Sequence, residues 1–350
     1  MIVGNVMGIR LFREEDRERW DRYVNRSSLS TCYHLTGWKE IIENSFNHRS
    51  YYLLSEDSDY EVNGILPLIH LKSIFFGNFF ISMPYFNYGG ICAETEEIRH
   101  QLLEEAVHIA ERENAEFIEL RNICHTDGWL PVKTTKVSMI CELPKKEGEL
   151  WDSFPSKMRN QILRPSKEGM YSKIGKEEEL DSFYTVFSIN MRDLGTPVYS
   201  KAFFSNILNK FHGSTWICTV YSKEGQPVAS GFLNGFKEKL EIPWASSIRE
   251  YNRFSPNMLL YWASMKFACE NGYTIFDFGR STPGEGTYKF KEQWGARPIQ
   301  LYWHYWMRNG STLPDLNPKN PKYYMAVKIW KRLPVGLTRL LGPQIVKNIP

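Results

Sequence analysis

A chain of 350 residues, 42% hydrophobic and 24% charged, has ordinary globular composition and is long enough for two domains rather than one core. Its formal net charge of +3 excludes nucleic-acid or membrane binding driven by the chain as a whole, so any polyanion site must come from local clusters. The six cysteines are scattered without a C-x-x-C pair and read as buried, reduced thiols, and the eight histidines form no metal spacing, so no metal is indicated.

The start, "MIVGNVMGIRLFREEDRERW", lacks a cationic region ahead of an apolar core of signal-peptide length. The longest apolar run, "SIFFGNFFISMPYFNY", is short of a membrane span and is interrupted by Gly77, Asn78 and Pro84. A cytoplasmic protein is expected. Residues 16–46 alternate helical signals with a Ser/Thr break, and Trp38, Ile41, Ile42 and Phe46 fall on one helical face. "SYYLLSE", "VNGILPLIHLKS" and "FFISMPY" predict strands, punctuated by Gly, Asn and Asp. A helix over residues 96–114 and the strand "EFIELRN" then complete an α/β layer that ends near residue 145.

A similar progression begins near Leu150. "ELWDSFPSKMRNQILRPSKEGM" predicts a helix, which the Arg164-Pro165 pair ends or bends. "DSFYTVFSINMRDLGTP" and "SKAFFSNILNKF" lead to a hairpin of "STWICTVYSKEG" and "QPVASGFLNGF" through a turn at Glu224 and Gly225. "KLEIPWASS" is a strand. The helix "PNMLLYWASMKFACENG" has Ser255 as N-cap, Pro256 in its first turn and Gly272 past its end. The strand "YTIFDFG", a loop, a two-turn helix and the strand "PIQLYWHYW" complete the half. Both halves run strands, helix, strand, which points to an internal duplication without a residue-level repeat. The expected fold is α/β (α+β), with a first domain at 1–147, a second at 148–312 and a basic tail at 313–350.

No acidic residue follows Asp315, while Lys319, Lys322, Lys328, Lys331, Arg332, Arg339 and Lys347 interleave with Tyr323, Met325, Val327, Ile329, Trp330 and Leu333. Three readings stand for residues 319–349: peripheral contact with an anionic membrane, a grip on tRNA phosphates, or a helix docked on the second domain with its basic side in water.

The stretch "FDFGRSTPGEGTYKFKEQWGA", residues 276–296, carries the richest signal. Gly279 and Gly284 have P-loop spacing, but Glu285 and Gly286 stand where a phosphate-gripping Lys and a hydroxyl are required. The dinucleotide fingerprint G-x-G-x-x-G is also absent. There remains a strand end and a helix N-terminus converging beside a glycine turn, a place where backbone N–H groups often face an anion. With that helix starting at Thr287 or Tyr288, Lys289 and Lys291 fall in its first turns and oppose its dipole, which makes an anionic partner sensible. Phe290 and Trp294, at i and i+4, face the core, and Gly295 ends the helix.

The run "FDFGRSTPGEGTYKFKEQWGARPIQLYWHYW" resembles the closing motif of FemAB-type transferases, which are built from two GNAT-fold domains. Supporting matches lie in "KMRNQILRPSKEGM", "FYTVFSINMRDLGTPVYSKAFF", "MPYFNYGG" and "NPKNPKYYMAVKIWKRLPVGLTRLLGP". They are similar to the FemAB-related proteins associated with exopolysaccharide or envelope biosynthesis. The resemblance implies tandem GNAT-like domains, each a mixed, mostly antiparallel sheet flanked by helices. It also implies transfer of an acyl group to an amine of an envelope precursor, nucleotide- or lipid-linked, with no bound cofactor. The donor is either aminoacyl-tRNA or acyl-CoA. The long helical hairpin that some members carry is absent.

Amide formation needs a neutral amine, a carbonyl within reach and a donor aimed at the developing oxyanion. By family match Lys291 is the catalytic candidate for that donor. Asp277, inside an apolar strand, is either locked by Arg280 or by the amides after Gly279, or serves as proton acceptor for the amine. Arg280, Glu285, Tyr288 and Lys289 are placed at the substrate; for Lys289, pairing with Glu292 or Gln293 on a solvated face is the preferred reading. Lys157, Arg159 and Arg164 clamp substrate phosphates or form a solvated basic face. Arg192 and Asp193 line the cleft or cap a helix end. Tyr85, Asn87 and Tyr88 contact peptide or sugar, or pack as aromatics. "SSIREYNRFSPN", where an acyl-CoA transferase has a glycine-bearing pyrophosphate loop, contains no glycine, leaving Arg249, Arg253 and Ser255 as donor-phosphate ligands. Three functions are consistent with these residues: a FemAB-type N-acyltransferase, an acyl-CoA-dependent transferase on an amino sugar, and a non-catalytic adaptor for RNA or membrane.

Overall fold

Two mixed β-sheets, each flanked by helices, carry the chain in this computed structural model, which describes residues 6–74, 76–125, 130–310, 313–314 and 324–349. In chain order, β1 (Val6–Leu11), α1 (Arg17–Arg26) and α2 (Gly37–Phe46) precede a meander of β2 (Arg49–Asp57), β3 (Val62–Ser73) and β4 (Gly77–Ile81). Then come β5 (Cys92–Ala93), α3 (Glu96–Arg112), β6 (Phe117–Asn122), β7 (Val132–Lys133) and β8 (Val137–Glu142). The next elements are α4 (Glu147–Ser153), α5 (Ser156–Lys167), β9 (Tyr171–Gly175), α6 (Leu180–Leu194), α7 (Lys201–Lys210), β10 (Thr215–Tyr221), β11 (Pro227–Phe236) and β12 (Lys239–Ser247). The chain closes with α8 (Pro256–Glu270), β13 (Ile275–Ser281), α9 (Gly286–Glu292), β14 (Arg297–Gln300), β15 (Tyr302–Met307), α10 (Tyr324–Trp330) and α11 (Val335–Val346).

The first unit spans Met1–Val137, Gln300–Asp315 and Asn348–Pro350, and its sheet runs β1-β2-β3-β4-β6-β15-β7, with β5 beside β3. All pairs are antiparallel except β4 with β6. The apolar face of α3, with Ile98, Leu102, Ala106 and Ile109, packs with Leu53, Leu66, Leu68, Phe80, Ile118 and Trp306 of the sheet. Close approach depends on Gly64, where a Cβ would lie 2.4 Å from Ile98 Cγ2. The predicted face of α2 is buried through Trp38, Ile41, Ile42 and Phe46.

The second unit spans Ser138–Ile299 and Leu316–Lys347, with the sheet order β14-β8-β13-β12-β11-β10-β9. The hairpin of β10 and β11 turns at Gly225 with φ +79°, as its turn residues predict. The helix expected over residues 149–170 is two, because Pro155 holds Phe154 in extended backbone between α4 and α5. Pro165 does not end α5 at once; it lies inside the last turn, and the Glu168 N–H still reaches the Arg164 carbonyl at 3.3 Å.

The largest departure from the sequence reading is an exchange of strands. The expected last strand "PIQLYWHYW" is cut at Leu301: β14 stays in the second sheet, whereas β15 pairs with β6 in the first. Conversely β8, read as part of the first domain, belongs to the second sheet. The units therefore do not divide at 147 and 148, and the described part of the segment expected as a separate tail is assigned, over residues 324–347, to the second unit. Lys319, Lys322 and Tyr323 lie outside the described residues.

Candidate functional site

Each unit contains a parallel strand pair joined through a helix: β4 with β6 around α3, and β12 with β13 around α8. Parallel neighbours joined through a helix part at their ends, and ligands of α/β sheets sit where strands part. In the first unit, pairing covers only Phe80 with Ile118 and Ile81 with Glu119, and the chain after β4 fills the gap beyond them. The Ser82 N–H donates to the Glu119 carbonyl at 2.9 Å, Gly90 N–H to the Arg121 carbonyl at 3.0 Å, and Ile91 N–H to Asn122 Oδ1 at 3.0 Å. Arg121, buried and stacked 4.4 Å over the Trp303 ring, donates to the Phe86 carbonyl at 2.5 Å and to Glu119 at 2.7 Å. Residues 82–91, including "MPYFNYGG", therefore occupy this parting.

In the second unit, pairing covers Lys239 with Ile275, Leu240 with Phe276 and Glu241 with Asp277, then stops. Beyond Glu241, β12 continues to Ser247 against β11 alone, while β13 continues to Ser281. Gly279 turns with φ +72°, and its N–H donates to Asp277 Oδ1 at 2.8 Å, an oxygen that also accepts from Ser138 Oγ at 2.8 Å. Lys239 Nζ lies 3.6 Å from the other carboxylate oxygen. Asp277 is fully buried, and its oxygens hold the strand end together through Ser138 and the Gly279 amide, the arrangement of the locking alternative. Arg280 is exposed.

Helix α9 lies against this strand end because Trp294, just past it, packs 5.5 Å from Phe154, 6.1 Å from Tyr261 and 6.5 Å from Phe278, and Phe290 packs 5.2 Å from Tyr261. Gly295 with φ +81° ends the turn, as expected. The packing carries Lys291 inward. Its ammonium is buried and donates to the carbonyls of Gly279 at 3.0 Å and Arg280 at 2.9 Å. The third N–H has no partner among the described residues. Burial pushes the ammonium down to about 8, against the attraction of Asp277 and Glu241. The dipole argument is corrected: α9 has seven residues and starts at Gly286, so Lys289 and Lys291 stand in its last turn, where a cation is favoured. Lys289 and Glu285 are exposed and Tyr288 is half-buried.

The remaining candidates are distributed. Lys157 and Arg164 are exposed on α5, and Arg159 is 3.6 Å from Asp152. Arg192 donates to Asp193 at 2.5 Å and to the Leu333 carbonyl at 3.2 Å, tying α6 to the segment after α10, and Gly195 with φ +80° caps α6. Arg249 and Arg253 are exposed on a 3-10 turn ahead of α8, with Arg253 4.5 Å over the Phe254 ring. Ser255 stands at the N-cap position of α8, but in left-handed backbone with φ +60° its side chain makes no cap bond; Pro256 and Gly272 sit as predicted. Tyr85, Asn87 and Tyr88 belong to the first unit: Tyr85, with φ +74°, shares a 2.8 Å hydrogen bond with His48, Asn87 is half-buried, and Tyr88 is buried 6.5 Å from the Tyr33 ring. The sequence reading missed Ser138 and Glu241. Glu241 left a signal, an acid at a core-facing position of "KLEIPWASS"; Ser138 left none, since only strand register brings it to Asp277.

Residues 156–292 match the family described as "Acetyltransferase (GNAT) domain". No curated protein matches the chain. Among solved structures, the chain is similar to FemX, with a TM-score of 0.64 at 17% identity over 85% of this chain and 97% of that one. It is similar to L-PGS from Bacillus licheniformis, with a TM-score of 0.56 at 14% identity over 95% of this chain and 100% of that one. It is also similar to a tandem GNAT protein from the clavulanic acid biosynthesis pathway, with a TM-score of 0.55 at 9% identity over 87% and 99%. The matched segment contains the open parting of β12 and β13 together with Lys291, and the tandem architecture agrees with the two sheets. Residues 156–292 thus match an acetyltransferase (GNAT) domain, and the chain has the fold that FemX and the tandem GNAT protein share.

Proposed function

We propose that the second unit transfers an aminoacyl or acyl group to an amine of a cell-envelope precursor, a peptidoglycan-like stem peptide or a glycan, carried on a nucleotide or a lipid. The observation that carries this reading is the buried Lys291 ammonium, held by two carbonyls at the end of β13 with one N–H to spare. A fixed, desolvated cation beside a parted strand pair is suited to charge that develops on a carbonyl oxygen, and one such donor is worth roughly 3 kcal/mol of barrier. Asp277 and Glu241 act as positioning residues that keep the ammonium charged despite its burial. Arg249 and Arg253, ahead of α8, are the phosphate ligands for the donor; Lys157, Arg159 and Arg164 of α5 supply cations for acceptor phosphates. The first unit, whose parting is filled by residues 82–91, supports binding rather than transfer.

A second reading, an acyl-CoA-dependent transferase acting on an amino sugar, is favoured by the acetyltransferase domain match over residues 156–292. Against it stands the glycine-free 3-10 turn Arg249–Phe254 before α8. We place the protein in the cytoplasm, peripheral at the inner face of the membrane. Purified protein incubated with pools of aminoacyl-tRNA and acyl-CoA, with mass readout on envelope precursors, separates the readings. An acylated precursor from either donor supports transfer; salt-dependent tRNA binding with no product supports a non-catalytic adaptor and sinks the proposal.

A further inference from the structure

Helix α11 is packed inside out. A surface helix normally turns its large apolar residues to the core and its polar ones to water. Here the buried positions are Thr338, Gly342 and Val346, spaced by four, and Gly342 sits so close to the chain at Val198 that a Cβ would lie 2.8 Å from the Val198 nitrogen. The helix's one arginine, Arg339, also turns inward: its Nε donates to Ser188 Oγ of α6 at 2.8 Å and its guanidinium lies 5.3 Å over the Tyr184 ring. Solvent receives Leu337, Leu340 and Leu341, with Leu340 72% exposed. The preceding α10 follows suit, burying Trp330 and exposing Tyr324, Met325 and Ile329. Gly195, where a Cβ would lie 2.5 Å from Val327 Cγ1, lets α10 seat closely against the end of α6. Exposed Lys328, Lys331 and Arg332 stand within and just after α10.

We propose that α10 and α11 form an interfacial anchor that lays the second unit on an anionic lipid surface. Aliphatic side chains entering the acyl boundary with flanking cations at the headgroups are what such a surface rewards. Two other occupants fit less well. Single-stranded nucleic acid is held by ring stacking, and the exposed apolar residues here are aliphatic apart from Tyr324. A second copy laid on this face in an isologous contact would put two like clusters of Lys328, Lys331 and Arg332 in one interface, with no acid in residues 316–350 to offset them. The inference deepens the envelope-precursor reading by placing the enzyme beside a lipid-linked acceptor, and its test requires no turnover.

The experiment is co-sedimentation of the full chain with phosphatidylcholine vesicles, alone and with roughly 30% phosphatidylglycerol. Binding to the anionic vesicles is expected. The triple variant Leu337→Gln, Leu340→Gln, Leu341→Gln should weaken it by at least about tenfold. The triple variant Lys328→Gln, Lys331→Gln, Arg332→Gln should weaken it by about 100-fold at low salt. Thermal melts confirm that the variants fold, and Leu340→Gln alone, at the most exposed of the leucines, serves if the triple variant does not. Transfer to a soluble, nucleotide-linked acceptor stays unchanged in both variants, so loss of transfer and loss of lipid binding are read separately. The proposal is overturned by a folded wild-type chain that ignores anionic vesicles, by leucine variants that bind them normally, by leucine-dependent dimers in sedimentation velocity without lipid binding, or by tRNA displacing the chain through the cations alone.

Discussion

Lys291 donates to the carbonyl of Gly279 across 3.0 Å, so a residue of α9 secures the end of the strand that precedes it. The same ammonium is the proposed catalyst, which ties local structure and chemistry to one group.

Replacing Lys291 tests both roles together. For Lys291→Ala we expect turnover to fall by at least about 100-fold. Two carbonyls lose their donor in that variant, so stability should fall by about 1 to 3 kcal/mol. Steady-state kinetics beside a denaturant melt separates the two effects. Near-normal turnover in folded protein removes Lys291 from the mechanism.

The rate should depend on pH through the same group. Burial lowers the ammonium to about 8, so the charged donor is lost as pH rises through that value and the rate falls on the alkaline side. Stability moves the opposite way. The unfolded chain holds this proton up to its ordinary 10.5, so between about 8 and 10.5 the unfolded state binds more protons, and the desolvation cost of the charged ammonium, which offsets part of what its two hydrogen bonds contribute, lessens as pH rises. In Lys291→Arg the alkaline limb of a rate profile should disappear; its persistence would assign the limb to another group.

Asp277→Asn keeps an oxygen for Ser138 and Gly279 but removes the charge facing Lys291. The alkaline limb should move to lower pH by about one unit, because the ammonium loses its largest favourable partner. A proton acceptor would behave differently: Asn would abolish turnover at every pH. A rate profile of the variant decides between positioning and acid-base work.

Gly90 tests the closure of the first unit. A Cβ there would lie 1.9 Å from Asn122 Oδ1, the oxygen that holds the Ile91 amide. Gly90→Ala should destabilise the protein by about 1 to 3 kcal/mol while leaving the kinetic constants of surviving enzyme unchanged. A thermal melt with parallel kinetics checks this, and an unchanged melting temperature would show that the loop yields without strain.

Local patterns were legible in the sequence. "VNGILPLIHLKS" and "KLEIPWASS" coincide with β3 and β12, because each is an apolar run rich in β-formers and too short for a helix. The ends of α8 were legible for Pro256 and Gly272 but not for the Ser255 hydroxyl, since left-handed backbone there turns the side chain from its capping position. In "PIQLYWHYW" the change of sheet at Leu301 carries no Gly, Asn or Asp, so the aromatic run reads as one strand. Lys291 was found as a residue while its surroundings were misjudged: a start at Gly286 moves it from the first turn of α9 to the last. Ser138 and Glu241 depend on register between segments more than 30 residues apart, which spacing along the chain does not encode.

The exchanged strands also set an order of events during synthesis. The edge of β6 beyond Phe117–Asn122 stays without its partner until Tyr302–Met307 has left the ribosome, although every other long strand of that sheet is made before residue 123. For most of translation the nascent first unit therefore offers an open strand edge to other chains, a liability that a holdase or rapid completion must cover.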